Sequence, residues 1–347
     1  YQNAVLTRAE GSRSFNALLF GGGANPTAGF QQGSTVREFT FNQTTSLNYN
    51  KVFAEKHSLN VGLYTEYFKA HLRGFNYFAE GLDPRTFAFG DGSGFVSDQP
   101  TNDFFVDSIG ADNNNSGLFS YFGSIDYSYD DKYGITGTIR RDASSRFEGE
   151  NKWGSFYAVS AFWNIHKEDF FGEDSDINFL KLRGSYGEVG NQYVNLGNNF
   201  GIFGPSAQFT DLGLFRDTFG TGAGYAGLQT VGVSNFGLSG LRWETTKEFN
   251  VGLDFEAFES RLRGSLDMYY RDTTDLFTNT NISAIAGTNG YTLPGNFGIL
   301  TNKGIDLSVN YDVIRKTEKG GFALTVGGVA NINKNIIRDL NTDDSNA

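Results

Sequence analysis

The chain has no cysteine, one methionine, five prolines and three histidines in 347 residues. Without cysteine there is no disulfide, no thiolate metal site and no thiol nucleophile. His57, His71 and His166 are scattered, and none has a second metal ligand at helical spacing. A G-x-S-x-G elbow is missing too. No segment reaches the roughly 18–20 uninterrupted apolar residues of a membrane-crossing helix. That absence leaves membrane barrels open, because their strands carry only an alternating signal. With a formal charge of −11 the chain lacks the basic surface that nucleic acid needs. Neither an initiator Met nor a signal peptide stands at Tyr1, and the polar NTDDSNA closes the chain, so residues 1–347 read as an interior piece of something longer.

What the chain does have is aromatic residues and glycine: 34 Phe, 17 Tyr and 45 Gly. Scarce Pro and Met beside this excess argue against an ordinary soluble enzyme. The plainest stretch is residues 241–277, LRWETTKEFNVGLDFEAFESRLRGSLDMYYRDTTDLF. Phe249, Val251, Leu253 and Phe255 alternate with Glu248, Asn250, Gly252 and Asp254. After a short break, Leu262, Leu266, Met268 and Tyr270 alternate with Arg263, Ser265, Asp267 and Arg271. A period of two places successive side chains on opposite faces, so each run is a strand with one oily and one charged face. So short a turn makes the pair antiparallel.

About eleven such strands follow one another. Short breaks (KVFAEKH, Asp130–Lys132, IRKTEKGG) alternate with long connections near 21–35, 73–117, 142–154, 188–240 and 273–300. Soluble sandwiches obey no such rule, whereas outer-membrane barrels join strands by short periplasmic turns and long extracellular loops. The expected fold is therefore all-β, an antiparallel transmembrane β-barrel segment. Most strands exceed the roughly 9–11 residues that a tilted strand needs to span a bilayer. Tyr121, Tyr129, Tyr133, Phe156, Trp243, Tyr269 and Tyr270 near strand ends suit an interfacial girdle.

Four blocks, residues 121–165, 179–192, 241–277 and 300–311, resemble the barrel of SusC/RagA-type TonB-dependent transporters, with RRDASSRF and WETTKEFNVGLDF as the most specific runs. They cover roughly a third of the chain, in the family's order. The resemblance implies a barrel of twenty-two strands, of which this piece is about half, around a plug domain. It implies import of oligosaccharide or peptide fragments through an outer membrane, driven by TonB–ExbB–ExbD, with a SusD-like surface lipoprotein as lid. Residues 1–347 show no plug, TonB box or closing terminal strand.

Arg140, Arg183, Glu248, Asp254, Arg263, Asp267 and Arg271 are expected on the wet face, as plug contacts, a substrate path or a solvated wall. Loop aromatics Phe104, Phe105, Tyr193, Phe203, Tyr225 and Tyr291 are candidates to stack on a ligand, or else small cores of long loops. No cofactor is expected. Asp112–Asn115 and Asp174–Asp176 offer oxygen ligands to Ca2+, but acidic turn residues are more often simply solvated. Gly222-Ala-Gly224-Tyr-Ala-Gly227 spells a dinucleotide motif without the strand and helix it needs. Two rivals remain: a passive porin, which would leak solutes without TonB, and a surface β-adhesin, whose oily faces would pack on each other.

Overall fold

The computed structural model describes residues 6–7, 30–80, 108–172, 175–193, 212–223, 229–281, 292–315 and 321–339. In chain order the strands are β1 (Leu6–Thr7), β2 (Phe30–Phe53), β3 (His57–Glu80), β4 (Ser108–Tyr129), β5 (Tyr133–Ser144), β6 (Trp153–Asn164) and β7 (Ile177–Asn191). Then come β8 (Thr218–Ala223), β9 (Gln229–Asn235), β10 (Glu244–Ala257), β11 (Leu262–Asn281), β12 (Thr292–Ile314) and β13 (Leu324–Asp339). Eleven of them form one sheet in the order β1-β2-β3-β4-β5-β6-β7-β10-β11-β12-β13, while β8 and β9 make a separate two-stranded ribbon. Every neighbour in the large sheet is also the next strand along the chain, apart from the ribbon inserted between β7 and β10. That is an up-and-down meander, with no Greek-key crossing among the described residues.

The chain divides into two compact units, residues 1–41, 69–117 and 198–212, and residues 42–68, 118–197 and 213–347. In the first, His71 Nδ1 meets the Asn115 side chain, and Phe39 lies beside the His71 ring at 6.5 Å. The second unit carries the hairpins that show the alternation best.

Within the second unit the register is continuous. Leu182 faces Leu253, which faces Leu266, which faces Leu307, which faces Ala330. One step along each strand, Arg183 faces Gly252, then Asp267, Asp306 and Asn331. Residues directly opposite share a face, so the sheet has one apolar and one charged face. The apolar face is bare: Ile139 is 66% exposed, Phe249 52%, Met268 48% and Ile332 71%. Side chains of this kind are buried by a second sheet in a soluble sandwich. No second layer covers them among the described residues.

The turns at one end are tight. Ala54 and Glu55, Asp130 and Asp131, and Phe258, Glu259 and Ser260 all have φ between 49° and 60°. Paired left-handed residues give a turn whose twist matches that of the strands it joins. Neighbouring turns are laced by backbone bonds: Asp130 N to Lys56 O (2.7 Å), Asn164 N to Lys132 O (2.8 Å), Phe258 N to Asp176 O (2.6 Å) and Asp312 N to Arg261 O (2.9 Å). Side chains follow. Lys56 Nζ reaches Asp130 at 2.9 Å, which holds the Asp130 carboxyl below the usual range and raises the ammonium. Glu168 accepts from the Tyr133 hydroxyl, from Trp163 Nε1 (2.9 Å) and from Lys132 Nζ (3.4 Å). Those donors, Tyr133 first, depress its pKa.

Several expected boundaries move. β2 begins at Phe30, β3 runs to Glu80, β4 starts at Ser108, β7 continues to Asn191, β11 to Asn281, and β12 starts at Thr292. The connections expected at 21–35, 73–117, 188–240 and 273–300 are thus shorter than drawn, and the one at 188–240 contains the β8–β9 ribbon. At 142–154 the strands also extend inward, β5 to Ser144 and β6 from Trp153, with a 3-10 turn at Gly149–Lys152. Asp112–Asn115 is not a turn but part of strand β4, where successive side chains point to opposite faces, and Asp174 of the other oxygen-rich stretch lies outside the described residues. Gly222 and Ala223 end β8, so the dinucleotide motif begins in a strand; Gly224, Tyr225 and Gly227 lie outside the described residues.

Candidate functional site

The charged face holds the expected residues. Arg140, Arg183, Glu248, Asp254, Arg263, Asp267 and Arg271 all occupy register positions on that side of the sheet. The geometry brings five of them together in two groups. Arg183 is the hub of the first: Nε and Nη2 bond the two oxygens of Asp254 at 3.0 and 3.2 Å, while Nη1 and Nη2 each reach Asp267 at 2.7 Å. Asp254 is on the neighbouring strand β10, but Asp267 is one strand further, on β11. The guanidinium crosses β10 where Gly252 leaves bare backbone; a Cβ there would meet Arg183 Cζ at 2.4 Å. The second group is Arg271, whose Nε and Nη2 bond Glu248 at 2.9 and 2.6 Å from the directly opposite position.

The other two guanidinium groups chose partners that the sequence did not single out. Arg263 bonds Asp312 at 2.9 Å. Arg140 bonds Glu66 (2.9 Å), Asp142 (2.7 Å) and Ser120 (2.9 Å), and lies 4.7 Å over the Phe122 ring. Phe122 in turn stacks on Tyr64 at 4.6 Å. Face parity carried one strand further would have found Glu66 and Asp312, since both occupy charged-face positions beside strands already assigned. Every one of these guanidinium groups is satisfied within the sheet, and an arginine so engaged has few donors left for a ligand.

Above this lattice, away from the tight turns, an apolar cluster forms from Phe147, Phe156, Leu241 and Trp243, with Leu118, Leu214, Leu238 and Phe277 against it. Trp243 Nε1 donates to Lys152 O at 3.0 Å, which satisfies the indole while its ring is buried. The cluster anchors the 145–152 connection and the segment entering β10. Beside it is a cleft of about 560 Å³ lined by Phe122, Arg140, Asp142, Gln192, Tyr193 and Trp243, among others. Tyr193 is the candidate ligand aromatic that the structure describes; the Arg146 guanidinium lies 4.8 Å over its ring. Phe104, Phe105, Phe203, Tyr225 and Tyr291 lie outside the described residues.

On the apolar face the aromatics gather in two belts. Near the tight turns Tyr129, Tyr133 and Trp163 follow one another at 6.5 and 6.4 Å. Toward the other end Phe119, Tyr121 and Trp153 are spaced at 6.3 and 6.1 Å, with Arg141 4.9 Å over the Trp153 ring. Eight residues of β4 separate Tyr121 from Tyr129, or roughly 20 Å once strand tilt is allowed for. That approaches the apolar band of about 25 Å expected of an outer-membrane barrel. Three expected girdle members are elsewhere. Phe156 and Trp243 belong to the buried cluster, and Tyr269 stands on the charged face, opposite Asn250 and Gly304. Position near a strand end was not enough; parity decides, and Trp153 and Trp163 have the outward parity.

Comparison with known proteins agrees with this architecture. The family model for the TonB dependent receptor-like β-barrel matches residues 2–346. A TonB-dependent receptor of Formosa agariphila is 30% identical over 310 residues, 88% of this chain and 27% of the relative. The TonB-dependent receptor SusC of Bacteroides thetaiotaomicron is 34% identical over 200 residues, 56% of this chain and 18% of SusC. The chain thus spans well under half the length of the curated relatives it matches. The RagAB peptide importer in its closed-closed state superposes with a TM-score of 0.73 at 22% identity, covering 91% of this chain and 32% of that one, a likeness of fold. With its two-faced meander, paired belts and sequence similarity to SusC, the chain belongs to the TonB-dependent receptor-like β-barrel family and forms a segment of the transmembrane β-barrel.

Proposed function

We propose that this chain is part of the wall of an active importer that carries glycan or peptide fragments across the bacterial outer membrane. In this reading TonB–ExbB–ExbD supplies the energy and a SusD-like surface lipoprotein closes over the mouth. The observation that carries it is the charged face. Its arginines are cross-linked to carboxylates into a rigid, wet wall, as a hydrated lumen around a displaceable plug requires. The 34% identity to SusC supports the same reading.

The tight-turn end is periplasmic and the long connections are extracellular, after the general plan of such barrels. Ligand capture falls to those connections, including Phe104, Phe105, Phe203, Tyr225 and Tyr291, and to Tyr193 at the cleft. No metal or cofactor takes part. The test uses the full-length transporter in its native cells, with labelled oligosaccharides and peptides offered separately. Uptake of one class, abolished when TonB is deleted, is the expected result. Uptake that persists at the same rate without TonB would make the protein a passive porin instead.

A further inference from the structure

The apolar face carries a group of cations that neither the ion-pair lattice nor transport accounts for. Lys303 of β12 and Lys334 of β13 are directly opposite each other in the register, and Tyr270 of β11 is directly opposite Lys303 on its other side. All three have the outward parity of Ile305, Ile332 and Met268, which form the next row toward the turns. Like charges in directly opposite positions, with Cβ atoms roughly 5 Å apart, repel each other. Neither ammonium has a carboxylate partner among the described residues, and both side chains are exposed. A third cation joins them: the Arg338 guanidinium bonds the Tyr270 hydroxyl and lies 5.9 Å from the centre of its ring. The Asp272 carboxylate on the same face accepts from Tyr270 at 3.0 Å and from Thr301 at 2.5 Å and makes no ion pair with either lysine among the described residues.

The position of this cluster identifies its occupant. It lies at the end of the apolar band away from the tight turns, where acyl chains give way to headgroups. Unpaired cations there, with an aromatic hydroxyl beside them and bare Ile305 and Ile332 below, match a phosphate with a hydrocarbon tail. We propose that Lys303, Lys334 and Arg338, backed by Tyr270, form a binding site for the phosphate of an anionic outer-membrane lipid, whose acyl chains lie along Ile305 and Ile332. The phosphate sits between the two ammonium groups and relieves their repulsion, so the lipid fastens β12 to β13 from outside.

The experiment uses the full-length transporter purified in neutral detergent, with bound lipid read by native mass spectrometry. The wild type is expected to retain phosphatidylglycerol in preference to phosphatidylethanolamine. The double variant Lys303→Gln/Lys334→Gln should lose about thirty-fold of that preference, the weight of two surface cations toward an anionic lipid. Lys51→Gln, an exposed lysine near the tight turns, should leave it unchanged. Both variants must keep the heat-modifiable gel mobility of a folded barrel; a double variant that loses it is replaced by Lys334→Gln alone, expected to lose about half of that effect on a logarithmic scale. Equal retention of phosphatidylglycerol by wild type and folded variant would overturn the proposal. So would an equal loss in Lys51→Gln, or displacement of the lipid by millimolar inorganic phosphate, which would make the site one for free phosphate.

Discussion

The two ends of the second unit solve the same problem differently. At the tight-turn end, chain reversals take two or three left-handed residues, and each turn hands a backbone hydrogen bond to its neighbour. Lys56 and Asp130 then add an exposed charge pair, and Lys132 and Glu168 a partly covered one, each individually weak. At the other end the strands outrun the apolar band, and order comes from burying Phe147, Phe156, Leu241 and Trp243. One end is held by hydrogen bonds, the other by a small oily core. The consequence is that the loop end depends on a few large side chains, and the turn end on many small contributions.

The sharpest way to break this contrast is Trp243→Ala. It removes the centre of the cluster and an indole hydrogen bond, and should cost about 3–5 kcal/mol, as large-to-small changes at buried aromatics do. Urea unfolding of the full-length protein in detergent measures it, and protease cleavage at 145–152 should rise in parallel. A cost below 1 kcal/mol would mean that the loop end is held by something else. Next, Leu253→Arg places a charge at the middle of the apolar band, between Leu182 and Leu266. It should cost about 2–4 kcal/mol in a lipid bilayer; a neutral outcome would show that this face does not meet hydrocarbon.

Gly252→Val tests the wall itself. A side chain there collides with the Arg183 guanidinium and separates it from Asp267, for about 1–3 kcal/mol. Combined with Arg183→Met, which removes the obstacle, the two costs should not add. The smallest effect belongs to the turn end. Because Glu168 has a lowered folded-state pKa, its contribution is complete above the ordinary glutamate range and fades as pH falls through that lower value. Trp163 fluorescence should report the loss on acidification, and Glu168→Gln should abolish the response.

These same regions show why the sequence was readable in some places and silent in others. Between the belts each strand has lipid on one side and water on the other, so Phe249 to Phe255 must alternate with Glu248 to Asp254, and strand, face and partner follow. Beyond the belts both faces are wet and the alternation lapses. Asp112–Asn115 and Thr278–Asn281 therefore look like loop, yet their backbones are paired within β4 and β11. Ligand aromatics are less legible still, since Tyr193 is an aromatic that an arginine already covers. Nor could composition reveal that Arg183 reaches past its neighbour, because that depends on the emptiness of Gly252.

That emptiness also bears on assembly. Hairpins with an alternating pattern can slide past one another by two residues and still keep oil against oil. A two-residue slip of β7 against β10 would set Arg183 over Asn250 or Asp254, with a side chain in its path and Asp267 out of reach. Three strands are thus indexed by one guanidinium passing over one vacant position, a key that fits in a single alignment while the chain is threaded into the membrane.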